Sequence, residues 1–308
     1  MPQRILTLTL NPAVDLASRA TSVVPTHKVR TTDEHVDPGG GGINVSRVIH
    51  ALGGETQALV LAGGATGQWL EALLLACGVP HQILPMAGRS RVSLTVYDEA
   101  ARQEYRFVPE GPEVTPDELA AAEAVLAATP GAWLVLSGSL PRGAPPATYG
   151  LIAAAAAARG VRVVLDTSGP ALAAALHRGL VLIKPSLREL EHLVGRPLPD
   201  TAAQEGEAAR LVATGAAAMV AVTLGADGAL LATADGVVRL PALAGLVRSA
   251  VGAGDAFLGA MVLSLARGDT PHEALVWGTA AGSAAVENAG TARVTRDAVV
   301  AAYRRLRV

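Results

Sequence analysis

Trp133-Leu-Val-Leu-Ser137, then Pro146-Ala-Thr-Tyr-Gly-Leu-Ile-Ala-Ala-Ala-Ala-Ala-Ala158, then Val161-Arg-Val-Val-Leu-Asp166: read in succession, these stretches decide the fold. The first and third are short apolar runs rich in Val and Leu, the pattern of strands buried on both faces. The middle one is a helix of ordinary length. Its alanine run, Ala153–Ala158, ends at Arg159-Gly160, well short of a membrane span. The alternation continues, with Leu180–Lys184 and Met219–Leu224 as strands and Leu187–Val194 and Ala202–Ala213 as helices. Strand–helix–strand order implies a parallel sheet with right-handed crossovers.

Around this core, helix starts are marked in the sequence. Thr115-Pro-Asp-Glu118 supplies an N-cap hydroxyl, a proline at the first helical position and a glutamate at the third, and Thr270-Pro-His-Glu273 repeats the device. Residues 253–305 read as three successive helices. Two segments break the pattern. Leu16–Val36 is polar, β-branched and charged with no helical period. Within Arg89–Val108, Val92–Tyr97 and Glu104–Val108 flank Asp98–Arg102 as a hairpin does. Both are expected in a small extra sheet at the edge of the main one.

The 308 residues suffice for one large core with a small appendage. Half of them are hydrophobic and 17% charged, which excludes a disordered chain, and the net charge of −2 gives no basic field for nucleic acid or an anionic membrane. Cys77 is the only cysteine, so no intrachain disulfide can form. Its setting, Leu73-Leu-Leu-Ala-Cys77-Gly78, predicts a buried thiol, and a reducing cytoplasm fits. Ile5–Leu10 is too short for a signal-peptide core. The histidines lack metal-ligand spacing, and His50, His192 and His272 are expected on helix surfaces. Trp69, Trp133 and Trp277 are expected in the core or at an interface.

In an open parallel sheet, ligands bind at the carboxyl ends of the strands. Those ends carry Asn11-Pro-Ala-Val-Asp15, Ser137-Gly-Ser-Leu-Pro141, Asp166-Thr-Ser168, Lys184-Pro-Ser-Leu-Arg-Glu189 and Thr223-Leu-Gly225, the rim of one cleft. Two Gly-rich helix starts face the same question. Ser249-Ala-Val-Gly-Ala-Gly-Asp255-Ala-Phe-Leu-Gly259 offers the free N–H groups of Gly252–Asp255 to a phosphoryl group, with the helix dipole behind them. An acid there repels the anion. It has a reason to be present if Asp255 accepts a proton from an attacking hydroxyl, whereas a simple aspartate cap explains the same residues without chemistry. Pro38-Gly-Gly-Gly-Gly-Ile-Asn-Val-Ser46 lets backbone approach a ligand and presents Asn44, a donor and acceptor suited to sugar hydroxyls.

Together these segments resemble the ribokinase-like (PfkB) carbohydrate kinases over essentially the whole chain. Gly39–Asn44 is similar to that family's first signature and Ser249–Gly259 to its second. Leu8–Asp15, Ala62–Gly67, Gln103–Val108, Ser137–Pro141 and Gly282–Asn288 are most similar to the phosphofructokinase branch, of the minor bacterial 6-phosphofructokinase type. The resemblance implies a three-layer α/β/α sandwich with a mainly parallel sheet. The core would be residues 1–14, 37–88 and 109–308, and residues 15–36 and 89–108 would form a β lid that can also make a homodimer contact. It implies Asp255 as base, with Gly252, Ala253 and Gly254 as the anion hole. Asp15, Gly40, Gly41, Asn44 and Ser139 would hold the sugar. Lys184, Ser186 and Glu189 would serve the nucleotide phosphates, with Glu189 reaching Mg2+ through water. Thr223, Gly225 and Gly228 would line the ATP site, with Ser283 and Asn288 near adenine. K+ activation would use carbonyls near Ser249, Val251 and 288–290.

Two features qualify this assignment. Where the family usually has Asn-x-x-Glu, this chain has Ser186-Leu-Arg-Glu189, which is also a capping box. Asn288 reads equally as a helix C-cap. The suspected lid carries Lys28, Arg30, Arg91 and Arg106, as a site for an already phosphorylated sugar requires. The expected reaction is ATP-dependent phosphorylation of fructose 6-phosphate at its 1-hydroxyl. Fructose 1-phosphate and tagatose 6-phosphate are the alternative substrates, and a silent sugar-phosphate sensor is the alternative of another class. Neither nucleic acid nor membrane is expected as a partner.

Overall fold

The computed structural model describes residues 3–245, 249, 251–287 and 294–307. In chain order the strands are β1 (Ile5–Thr9), β2 (Ala13–Ala20), β3 (Thr32–Gly39), β4 (Thr56–Ala62), β5 (His81–Pro85), β6 (Arg91–Asp98), β7 (Gln103–Phe107), β8 (Trp133–Ser137), β9 (Arg162–Asp166), β10 (Leu180–Ile183), β11 (Met219–Thr223), β12 (Ala229–Thr233) and β13 (Gly236–Leu240). The helices are α1 (Gly41–Ala51), α2 (Gly64–Ala76), α3 (Pro116–Ala128), α4 (Thr148–Ala157), α5 (Gly169–Ala175), α6 (Leu187–Val194), α7 (Thr201–Ala213), α8 (Ala253–Arg267), α9 (Pro271–Val286) and α10 (Arg296–Leu306).

Nine strands form one sheet in the order β13-β12-β11-β10-β9-β8-β1-β4-β5. Neighbours from β11 to β5 run parallel, and β12 and β13 close one edge as an antiparallel pair. Both faces are covered because the strands are apolar on both. Leu6, Leu134 and Leu136 pack toward α3–α7, while Ile5, Trp133 and Val135 pack toward α1, α8, α9 and α10. Fully buried strands of this kind occur only between two helical layers. The architecture is the expected α/β/α sandwich.

A second sheet, in the order β3-β2-β6-β7, stands off this core. Strand β2 pairs antiparallel with β3 and parallel with β6, and β6 pairs antiparallel with β7 as the hairpin pattern predicts. The small sheet leaves the core at the carboxyl ends of β1 and β5. One of its faces therefore overhangs the rim on which the parallel strands end.

Local signals place the helices. Thr115 and Glu118 form a reciprocal capping box on α3, and Ser186 and Glu189 do the same on α6. Helix α4 starts two residues later than expected because the N–H and hydroxyl of Thr148 both donate to the Pro145 carbonyl, forming a turn first. The expectation of a buried thiol fails: Cys77 is exposed. The buried stripe of α2 ends at Leu74, and Cys77 is the C-cap, where the chain turns away at Gly78. Trp133 is buried, Trp277 stacks on Tyr303 with ring centres 4.1 Å apart, and Trp69 is exposed. His50, His192 and His272 lie on helix surfaces.

Candidate active site

Helices α1 and α8 bring the two Gly-rich segments together. They cross where Gly259 leaves no room for a side chain: a Cβ there would lie 3.0 Å from the Val45 carbonyl and from Val48. The close crossing aligns both N-termini toward the rim. Asn44, in the second turn of α1, then donates from Nδ2 to Oδ2 of Asp255, in the first turn of α8, at 2.8 Å.

The start of α8 has the geometry of an anion cradle. Gly252 is the N-cap, in left-handed backbone at φ 77°, and the N–H of Ala256 is the first to reach an intrahelical carbonyl, that of Gly252 at 2.9 Å. The amides of Ala253, Gly254 and Asp255 are left for a ligand. Lys184, at the end of β10, is buried beside them and pairs with Asp166 of β9 at 3.1 Å. Burial opposes its charge, but Asp166 and Asp255 outweigh that and hold the ammonium above its usual range.

A pocket of about 200 Å³ opens between this cradle and the small sheet. It brings Asp15, Gly40, Gly41, Asn44, Arg91, Arg106, Gly252 and Asp255 to one wall or another. Side chains on β2 and β6 alternate, so Asp15, Ser93 and Thr95 face the pocket while Val14, Val92 and Leu94 face away. Burial pushes the Asp255 carboxyl up to about 7, with nearby Asp166 adding to it, while the Asn44 hydrogen bond and Lys184 pull it down. Asp15 is pushed up to about 6 by burial, opposed by Arg91 and Arg106. Arg91 donates to the carbonyls of Pro109 and Asn11 at 2.8 and 2.9 Å, which fixes it where the small sheet joins the core. Its Nε is buried without a partner.

Other expected residues lie elsewhere. Lys28 and Arg30 are exposed on the connection between β2 and β3, outside the pocket lining. Ser139 is exposed at the rim and accepts from Asn11 Nδ2 at 3.2 Å. Ser186 and Glu189 line a wider cleft of about 1120 Å³ together with Ser168, Arg188 and His192. Oε2 of Glu189 accepts from the N–H and hydroxyl of Ser186 at 2.8 and 2.9 Å, so the capping role is filled. Thr223 ends β11 and is bridged to Ser186. Gly225 and Gly228 flank the turn into β12, both at positive φ. The Ser283 hydroxyl accepts from the N–H of Leu243 at 3.3 Å. Asn288 and the 288–290 carbonyls fall outside the described residues. Among the described residues, no group of three or more His, Cys, Asp or Glu could hold a metal ion.

Sequence reasoning placed Asp166 on the rim without a role and passed over Asp37 and Arg47. Arg47 stands three residues beyond Asn44 on the same helix, so i, i+3 spacing was the signal available for it.

An acid near neutrality, a phosphoryl cradle and a cation-bearing pocket suit transfer of a phosphoryl group to a hydroxyl. The family model described as pfkB family carbohydrate kinase matches residues 8–298. The chain belongs to the pfkB carbohydrate kinases. Among pfkB proteins it is 41% identical over 298 residues to the ATP-dependent 6-phosphofructokinase isozyme 2 of Mycobacterium tuberculosis, covering 96% of this chain and 88% of the relative. It is 40% identical to the isozyme 2 of Escherichia coli K12, covering 96% of each. The crystal structure of Escherichia coli phosphofructokinase-2 in complex with substrates and products superposes with a TM-score of 0.95 at 39% identity, covering 99% of this chain and 100% of that one.

Proposed function

We propose that this pfkB kinase transfers the γ-phosphoryl group of ATP to the 1-hydroxyl of fructose 6-phosphate, giving fructose 1,6-bisphosphate. The observation that carries the substrate class is the joint placement of Arg91 and Arg106 with Asp15, Asn44 and Asp255 around one pocket. A plain sugar has no need of two guanidinium groups, whereas a sugar phosphate does. The matching relatives named as 6-phosphofructokinases support the same reading.

In this reading Arg91 and Arg106 hold the 6-phosphate. Asp15, Asn44 and the Gly40–Gly41 backbone orient the hydroxyls, with Ser139 at the rim. Asp255 takes the proton of the attacking hydroxyl, and a carboxyl near neutrality is matched to that task. The amides of Ala253, Gly254 and Asp255 and the Gly252 turn stabilise charge on the transferring group. Lys184 lies beside that cradle and offsets charge on the ATP phosphates. Mg2+ neutralises the same phosphates when bound. The described residues suit a metal held mainly by phosphate and water, with Glu189 in its outer shell, because they contain no dedicated protein cage. Ser186, Thr223, Gly225, Gly228 and Ser283 line the nucleotide's path, and Asn288 belongs with them by sequence. By the family resemblance K+ would use carbonyls near Ser249, Val251 and residues 288–290; one matching Escherichia coli structure is a complex with potassium.

Residues 15–36 and 89–108 act as the lid, excluding water that would otherwise hydrolyse ATP. The outer face of that sheet exposes Leu94, Tyr105 and Phe107, which suits a homodimer contact through the lid. Among the described residues, no helix is long and apolar enough to cross a membrane. We place the enzyme in the cytoplasm because its single cysteine suits a reducing compartment.

The test is coupled ADP release with Mg2+ and ATP against fructose 6-phosphate, fructose 1-phosphate, tagatose 6-phosphate, fructose and ribose. Preference for fructose 6-phosphate supports the reading. Turnover of an unphosphorylated sugar alone refutes the phosphate site.

A further inference from the structure

Asn44 reaches Asp255 as one link of a longer chain. Arg47 Nη1 donates to Asn44 Oδ1 at 3.3 Å, and Arg47 Nη2 donates to Asp37 Oδ1 at 3.1 Å. Asp37 lies on β3 just before the four-glycine loop, and Arg47 lies on the helix that follows it. Their ion pair therefore ties the two ends of that loop together, with side chains only 6% and 11% exposed. Charges buried this deeply need their partner.

The chemistry of the donors fixes the direction of the chain. A guanidinium has donors and no acceptor, so the group facing Arg47 must be the carbonyl oxygen of the Asn44 amide. The amide nitrogen then faces Asp255, whose carboxylate needs a donor. A flipped amide would set N–H against guanidinium and oxygen against carboxylate, two repulsive contacts in place of two hydrogen bonds. Among the described residues, Arg47 supplies the donor on that side of Asn44 that selects the productive orientation. One Nδ2 hydrogen is used by Asp255, and since Asn44 also lines the pocket, the other is available to a sugar oxygen.

We propose that Arg47, anchored by Asp37, is a positioning residue for phosphoryl transfer: it sets the amide orientation of Asn44 and thereby holds Asp255 ready to take the proton. The proposal rests on Asp255 being the base. It goes beyond that reading in assigning a role to two residues that touch neither substrate nor the reacting atoms.

The charged groups around Asp255 come from several elements: Asp15 on β2, Asp166 on β9 and Lys184 next to β10. Arg47 also lowers the Asp15 carboxyl and Asp37 raises it, so only a shift in the pH dependence of turnover that persists in a variant lacking both charges reports the Asn44 link. The experiment compares the wild type, Arg47→Met, the double variant Asp37→Asn with Arg47→Met, and Asp255→Asn. It measures kcat at saturating fructose 6-phosphate and ATP between pH 5.5 and 9, and Tm for each protein. Arg47→Met is expected to lower kcat by on the order of 10–100-fold. It is also expected to move the acidic limb of the kcat profile to higher pH, because a lost donor to the carboxylate favours its protonated form. The double variant also removes the Asp37 charge that Arg47 offsets, so it is expected to recover Tm but neither kcat nor the limb.

A folded Arg47→Met with kcat within twofold of the wild type and an unmoved limb overturns the proposal. So does a double variant that regains kcat and limb along with Tm, since the pair would then serve only the fold. Retained turnover in Asp255→Asn defeats the base assignment itself, separately from the role of Arg47.

Discussion

Gly39→Ala tests how tightly Asp15, the carboxylate proposed to hold the sugar, is held. Gly39 is the last residue of β3 and pairs with Ala13 of β2, and the Asp15 carboxylate folds back over it. An added Cβ would lie 2.2 Å from Asp15 Oδ2 and 2.4 Å from Oδ1, where ordinary contact begins near 3.4 Å. The carboxylate, or the loop beneath it, must therefore shift by about 1.2 Å, the difference between 3.4 and 2.2 Å. Gly39 is not in left-handed backbone, so alanine adds no torsional strain of its own and the fold is expected to persist. A displacement of about 1 Å in a positioning group costs up to about 100-fold. We expect KM for fructose 6-phosphate to rise about 10–100-fold, equivalent to about 1.4–2.7 kcal/mol, with a smaller change in kcat. The assay is coupled ADP release across a fructose 6-phosphate titration at saturating ATP, with circular dichroism to establish folding. A folded variant whose KM stays within twofold of the wild type would refute the placement of Asp15 on the sugar.

Three further outcomes follow from the site and the scaffold. Asp255→Asn is expected to lower kcat by about a thousandfold or more while raising stability at pH 8. The folded Asp255 carboxyl sits near about 7 against an ordinary 3.8, so between those values the folded state holds more protons than the unfolded one. Stability thus falls as pH rises through that window, and asparagine removes a cost of about 4 kcal/mol, about three pKa units at about 1.36 kcal/mol each, read as a Tm gain of several degrees that disappears near pH 4. Arg106→Met, on the exposed strand β7, should raise KM for fructose 6-phosphate about 10–100-fold with Tm unchanged; equal loss toward unphosphorylated fructose would count against a phosphate contact. Gly206→Ala lies inside α7 with nothing within 4 Å of the new Cβ, so denaturant unfolding should show a gain of about 0.5–1 kcal/mol with unchanged kinetics.

Much of this protein is legible from sequence because the signals involved are local. A strand buried on both faces must be apolar along its length, and Trp133–Ser137 is found where the pattern puts it. A capping box needs only four adjacent residues, so Leu187–Val194 could be bounded from Ser186 and Glu189. Free amides follow from any helix start, so the cradle before Ala256 could be read from Gly252–Asp255 alone.

Tertiary structure decided what depends on residues distant in the chain. Cys77 is exposed because the stripe of α2 ends a turn before it, and no run of neighbouring apolar residues records that. Of the four suspected lid cations, Arg91 and Arg106 reach the pocket while Lys28 and Arg30 do not, since strand direction and pleat, rather than composition, aim a side chain. The pairing of Lys184 with Asp166, and the line from Asp37 through Arg47 and Asn44 to Asp255, join residues up to 211 positions apart. Local sequence fixes the elements through backbone sterics and periodicity. The crossing of α1 over α8 brings Asn44 to Asp255, and that depends on packing between two helices that neither segment encodes alone.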